Sequence, residues 1–161
     1  MVQVIQACDV PVSDRVLTQV KAKAERVSVD WENISSQSAD YQEAFGLVVM
    51  VTQRVDKQHL DCFPNLKVIC NYGAGYNNID VEEATRRGIM VTNTPGVLSE
   101  ATAELTWGLI LSVARRIAES DQTVRKGEFT GWTPTFQLGK QLTGKTLGIL
   151  GLGSIGKAVA M

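Results

Sequence analysis

The sequence predicts an α/β chain built on a parallel sheet, and three observations carry that expectation. Short apolar runs alternate with helical patterns along most of the 161 residues, as strands joined by crossover helices do. Gly46-Leu47-Val48-Val49-Met50-Val51 is a continuous apolar run, the pattern of a strand covered on both faces. Thr146 to Leu150 feeds into Gly151-x-Gly153-x-x-Gly156 with a helical pattern behind it. Glycines at that spacing, between a strand and a helix, form the turn that opens a dinucleotide-binding Rossmann unit.

Taken in order, Val2 to Ile5 reads as a first strand. Pro11 and Ser13-Asp14 open a helix through about Arg26, with Val16, Leu17, Val20 and Ala24 on one face. Val27 to Trp31 reads as a second strand, and residues 33–44 give a weak, short helical signal. After the strand at Gly46 to Val51 come a short helix over 56–62, ending before Pro64, and a strand at Leu66 to Cys70 that runs into Asn71-Tyr72-Gly73-Ala74-Gly75. Asp80 and Glu83 have capping-box spacing at the head of a helix that ends with Arg86, Arg87 and Gly88. Ile89 to Val91 is a strand and Asn93-Thr94-Pro95-Gly96 a turn. Ser99 is expected to cap a long helix to about Lys126, with Glu100 and Glu104 early and Arg125 and Lys126 late, and Gly127 to end it. Residues 127–144 connect to the strand before the glycines. Residues 1–98 thus hold enough strands for one small doubly wound domain, and 99–161 a long helix plus the first βα unit of a second.

Composition narrows the partners. Sixteen basic and seventeen acidic residues give a net charge of −1, and their interspersion offers no argument for nucleic acid or an anionic membrane. Cys8, Cys62 and Cys70 lack C-x-x-C spacing, so reduced thiols and a cytoplasmic setting are expected, with no metal site. The N-terminus lacks the basic and apolar regions of a secretion signal. The long helical pattern is interrupted by Glu104, Ser112, Arg115 and Arg116, so no membrane span is expected.

Each glycine near the C-terminus has a physical use. Gly151 permits the tight turn, Gly153 lets backbone approach a pyrophosphate, and Gly156 lets helix and strand pack closely. The N–H groups of Ser154, Ile155 and Gly156 would then face an anion. An ordinary strand–turn–helix with no ligand fits the same residues. So does the start of a P-loop, since Gly151 to Lys157 spells G-x-x-x-x-G-K, but Ala158 lacks the hydroxyl that would hold Mg²⁺.

Three longer runs carry a resemblance. They are Leu66-Lys67-Val68-Ile69 with Asn71 through Asp80; Val91-Thr92-Asn93-Thr94-Pro95-Gly96-Val97-Leu98 with Glu100 through Glu104; and Leu142 through Gly156. In this order and spacing the chain resembles the N-terminal half of the D-isomer-specific 2-hydroxyacid dehydrogenases, notably the glyoxylate/hydroxypyruvate reductase and phosphoglycerate dehydrogenase branches. The resemblance implies a flavodoxin-like substrate domain followed by the start of a Rossmann domain. It also implies hydride transfer between NAD or NADP and C2 of a small 2-keto or D-2-hydroxy acid. By resemblance, the N–H groups of Gly73, Ala74 and Gly75 hold the substrate carboxylate, and a glycine-rich turn after a strand can present such donors. Thr102 resembles the family's cofactor-side threonine.

The family's catalytic arginine, glutamate and histidine fall in its later half and match nothing here. His59 reads as structural or solvated in a polar, exposed helix. The acidic residue expected about 20 positions beyond the glycines, which separates NAD from NADP use, is also absent. The chain is therefore read as truncated, and the 161 residues alone are expected to show no turnover. A corepressor-like nucleotide-binding and oligomerisation module is the alternative. Finally, Ala101, Ala103, Leu105, Trp107, Leu109, Ile110, Leu111, Val113 and Ala114 fall on nearly every side of the long helix. A helix apolar all round expects burial all round, so a homodimer through residues 100–126 is expected, in keeping with the resemblance.

Overall fold

The computed structural model describes residues 2–8, 15, 18–19 and 24–161, the side chains of 36–39 excepted. It divides into two compact units, Met1–Pro95 and Gly96–Met161.

The first unit is a five-stranded sheet: β1 (Val2–Gln6), β2 (Ala24–Ser28), β3 (Ala44–Met50), β4 (Val68–Tyr72) and β5 (Met90–Thr92). All four pairings are parallel, in the order β2-β1-β3-β4-β5. This is the flavodoxin-like order of a doubly wound sheet. The register aligns Val27, Ile5, Leu47, Ile69 and Val91 in one row across all five strands. Ile5, Leu47 and Ile69 are fully buried, and burying such a side chain stabilises by about 1.5–3 kcal/mol. The row packs against Ile34 and Tyr41 from a run of 3-10 turns (Trp31–Tyr41), Leu60 from α1 (Lys57–Asp61), Phe63, Leu66, and Ala84 from α2 (Val81–Arg86).

Several elements differ from the sequence expectations, each for a local reason. The helix expected through Arg26 ends sooner: Arg15, Thr18 and Gln19 are helical, Ala24 to Arg26 belong to β2, and the remainder, with Pro11, Ser13 and Asp14, lies outside the described residues. Strand β2 therefore precedes the expected Val27 to Trp31. Asp30 ends the extended stretch by accepting from the Glu32 N–H at 3.2 Å and from Asn33 Nδ2 at 2.7 Å, which starts the 3-10 turns. Strands β4 and β5 lie slightly later than expected, so Asn71 and Tyr72 are strand residues.

Only half of the expected capping box at Asp80 forms. Asp80 accepts from the Glu83 N–H at 2.9 Å, while the Glu83 carboxylate is taken by Arg86 and Arg87. At the head of α1, Asp56 caps the helix by accepting from the Gln58 and His59 N–H groups at 3.0 and 3.4 Å. His59 is half-buried rather than exposed, its ring stacked on Trp31 at 5.1 Å and its Nδ1 2.7 Å from Asp56 Oδ1. That bond holds the Asp56 carboxyl below its ordinary range.

In the second unit the expected single helix is two, α3 (Ser99–Arg115) and α4 (Ile117–Arg125), parted by Arg116 at φ 57°, ψ 37°. The left-handed residue ends α3 by donating its N–H back toward Ser112 and Val113, as a helix C-cap does. The connector holds the break in place. The Lys140 N–H donates to the Ala114 carbonyl at 2.6 Å, and the Gln137 amide bridges the Ser120 and Thr123 hydroxyls. Ser99 is the first helical residue and not the cap; Leu98 occupies that position without a side-chain bond. Gly127 follows α4 as expected, its N–H bonded to Val124 O. Thr146 to Leu150, expected as a strand, is not one: it has no partner among the described residues, and a strand exists only through its ladder. Helix α5 (Ser154–Ala160) packs on α3, with Ala103 and Val159 buried and Trp107 Nε1 donating to Val159 O at 3.1 Å. Among the described residues no helix is long and apolar enough to cross a membrane.

Arg86 and Arg87 depress the Glu83 pKa from 4.5 to about 2. Because the folded value lies below the unfolded one, the associated stability is present above about pH 4.5 and is lost as pH falls toward 2. Glu83→Gln should therefore lower Tm at pH 7 and flatten the acid limb of Tm against pH between about 5 and 2. Parallel limbs for the two proteins would contradict this.

Candidate functional site

The carboxyl ends of β3, β4 and β5 lie side by side, the edge where open α/β sheets place ligands. Strand β4 leaves the sheet there into Gly73-Ala74-Gly75. The loop passes so close to the turn after β3 that a Cβ at Gly73 would lie 2.8 Å from Val51 Cγ1 and 3.6 Å from Asn71 Nδ2. A side chain at this position would force Val51 to shift.

All three loop carbonyls are held from within the same unit. Gly73 O accepts from the Thr94 N–H at 3.0 Å. Ala74 O accepts from Asn93 Nδ2 at 2.8 Å, and Gly75 O from Asn71 Nδ2 at 2.6 Å. Of the three amides singled out in the sequence, the Gly73 N–H donates to Asn71 O at 3.0 Å. The Ala74 and Gly75 N–H groups have no acceptor among the described residues. Two donors, not three, stand free. A groove of about 280 Å³ adjoins the loop, lined by Tyr76, Val81, Val91, Thr92 and Asn93.

The side chains of Asn71 and Asn93 carry roles that the sequence pattern does not announce. Asn71 follows two places after Ile69 and shares its face of the strand, yet it is polar and almost fully buried. Its Oδ1 lies 3.4 Å from Asn78 Nδ2, which also donates to Met50 O and Gln53 O at the end of β3. Asparagines flanking a glycine run are a recognisable turn signal, but nothing in the pattern says that Asn93 reaches back 19 residues.

The second group of candidates lies in the Gly96–Met161 unit. Gly151 has φ 97°, a conformation that favours glycine. A Cβ at Gly156 would collide with Gly151 O, whereas one at Gly153 would meet nothing within 4 Å. The first bond of α5 runs from the Lys157 N–H to Gly153 O at 2.9 Å, so the N–H groups of Ser154, Ile155 and Gly156 are not used within the helix. Thr102 sits in the first turn of α3, half-buried, its carbonyl accepting from Thr106 Oγ1. Among the described residues no cluster of His, Cys, Asp and Glu is arranged to hold a metal ion.

The tight approach of Gly73 to Val51 can be tested. Gly73→Ala should destabilise the chain by about 1–3 kcal/mol, measured by urea denaturation, and Val51→Ala in the same chain should recover most of the loss. Wild-type stability in G73A, or additive losses in the double variant, would contradict the packing.

The profile of the D-isomer specific 2-hydroxyacid dehydrogenase catalytic domain matches residues 5–153. The glyoxylate reductase of Thermococcus litoralis is 56% identical over 123 residues, 74% of this chain and 37% of that protein. The glyoxylate reductase of Aeropyrum pernix is 54% identical over the same length and shares. A crystal structure of a Thermus thermophilus protein superposes with a TM-score of 0.86 at 37% identity, covering 98% of this chain and 51% of that one. The NADPH-dependent glyoxylate/hydroxypyruvate reductase of Sinorhizobium meliloti, solved with NADP and malonate, does so at 0.81 and 33%, covering 98% and 48%. The chain thus spans about 37% of these curated relatives and about half of the solved ones. With the parallel sheet in its 2-1-3-4-5 order and the matched residues running through the first glycine loop and into the second, the chain belongs to the D-isomer specific 2-hydroxyacid dehydrogenase family.

Proposed function

We propose that this chain supplies the substrate-carboxylate loop and the cofactor-phosphate turn of an oxidoreductase that acts on a small 2-keto or D-2-hydroxy acid. The observation that carries the reading is the pair of free amides, Ala74 and Gly75, on a loop whose carbonyls are all bonded to the fold. Two adjacent N–H donors match the two oxygens of a carboxylate, and a bond to a charged acceptor is worth more than a neutral one. The Sinorhizobium meliloti relative was solved with malonate, itself a dicarboxylate.

The residues of the second loop fit the pyrophosphate of NAD or NADP. A positive φ at Gly151, open space beside Gly153 and unused amides at Ser154, Ile155 and Gly156 support that fit. Thr102 is assigned to the same cofactor side. The bound nicotinamide supplies the hydride acceptor or donor. The chain's own residues bind and orient: Ala74 and Gly75 hold the acid, and the glycine turn holds the phosphates. No proton-transfer role falls to His59, whose Nδ1 is engaged by Asp56 and whose ring is stacked on Trp31. Residues 1–98 accordingly form the substrate domain and 99–161 the first part of the cofactor domain. Three cysteines without C-x-x-C spacing support a reducing, cytoplasmic setting.

A chimera in which this chain replaces the matching portion of the Thermococcus litoralis glyoxylate reductase should oxidise NADH or NADPH with glyoxylate, while the 161 residues alone give no turnover. A folded chimera with no activity, or turnover by the isolated chain, would contradict the assignment.

The homodimer belongs to the same proposal. Leu105, Leu109 and Val113 of α3 are 63%, 58% and 80% exposed, an apolar strip at helical spacing that favours association with a second copy. Sedimentation at micromolar protein should show a dimer that dissociates when Leu109 and Val113 are changed to Asp; a monodisperse 17.5 kDa monomer would rule it out.

A further inference from the structure

The Gly73-Ala74-Gly75 loop has little of its own to hold it in one shape, since its side chains amount to a single methyl group. Its conformation is set by three donors from outside: the Thr94 N–H on Gly73 O, Asn93 Nδ2 on Ala74 O, and Asn71 Nδ2 on Gly75 O. In a trans peptide the carbonyl of one residue and the N–H of the next point in opposite directions within one rigid plane, and the structure has no cis bond among its described residues. Each captured carbonyl therefore sets the direction of the following amide. Thr94 orients the Ala74 N–H, Asn93 the Gly75 N–H, and Asn71 the Tyr76 N–H.

We infer that Asn93 and Asn71 are positioning residues for anion binding, each holding one peptide plane of the loop so that the amide on its far side points away from the fold. The inference rests on the carboxylate-binding reading of the loop and adds the residues that make it competent. It also adds the Tyr76 N–H to the donors, in place of the Gly73 N–H, which is bonded to Asn71 O.

Burial supports the assignment. Asn71 is 3% exposed, on the same face as Ile69, where an aliphatic side chain would pack without desolvating an amide. A buried polar group stabilises little unless its partners are in place. Here one end of the Asn71 amide reaches Gly75 O, and the other meets Asn78, which is itself anchored on Met50 O and Gln53 O. The loop is thereby tied to the ends of β3, β4 and β5 together.

The test uses the ¹⁵N-labelled chain and three substitutions of one chemistry: Asn93→Ser, Asn71→Ser and, as control, Asn65→Ser. Asn65 makes a comparable side-chain bond, to Gln42 O at 2.8 Å, away from the loop. Without ligand, the heteronuclear NOE of loop amides reports their order on the ps–ns timescale. Asn93→Ser should lower it at Gly75, and Asn71→Ser at Tyr76, with the Val68 to Cys70 amides unchanged; Asn65→Ser should move neither. Loop amides as ordered in both variants as in the wild type would overturn the inference, and so would a loss of order spread equally through β4, which marks a merely structural role.

Glyoxylate is then titrated into the same samples. Loss of one aimed donor to a charged acceptor corresponds to affinity weaker by about tenfold or more, seen as a shifted titration midpoint at Ala74 and Gly75. Unchanged affinity in both variants would overturn the inference. A wild-type chain whose loop amides ignore glyoxylate, while the NOE pattern appears as expected, would refute the carboxylate reading and leave the orienting role of the two asparagines standing.

Discussion

The row Val27–Ile5–Leu47–Ile69–Val91 is the constraint on which the rest of the first unit depends. In a parallel sheet, residues paired in register project to the same face, so one rank of aliphatic side chains fixes the relative heights of five strands. A slip of one residue in β4 would carry Ile69 out of the core and move Asn71 to the opposite face. The register that fills the core therefore also sets where the loop after β4 emerges relative to the turn after β3 and the end of β5. Packing and site are the same fact seen at two ends of a strand.

What the sheet positions is a polarity. Backbone leaving a strand carries both donors and acceptors, and a loop that binds an anion must present only the donors. Side-chain amides from β4 and the segment after β5 take the loop's acceptors, together with the Thr94 N–H. No lysine or arginine is needed for this.

Much of the first unit was legible because its signals are strong. Gly46 to Val51 was apolar throughout, and β3 is central, with Gly46, Leu47 and Val49 buried. Boundaries governed by single side chains were less legible. Asp30 starts the 3-10 turns earlier than hydrophobicity suggests, and Arg116 breaks the long helix with neither glycine nor proline, held by bonds to a connector about 20 residues further along the chain. Periodicity reports which face of an element is apolar; it does not report what docks against the end. For the same reason the glycine loop was visible from its residue types, while the taking of the Gly73 amide by Asn71 O was not.

In the second unit the glycine turn is formed although the stretch before it pairs with nothing among the described residues. Gly151, with its positive φ, and Gly156, packed against Gly151 O, owe their geometry to local sterics, which need no sheet. The claim that ties the account together nevertheless lies in the first unit: the amides left free by the captured carbonyls receive a carboxylate. A crystal structure of the protein with glyoxylate measures this most directly. The account predicts the carboxylate oxygens within about 2.7–3.1 Å of the Ala74 and Gly75 nitrogens, with the Asn93 and Asn71 bonds intact. Glyoxylate bound elsewhere, with those two amides facing only solvent, would contradict it.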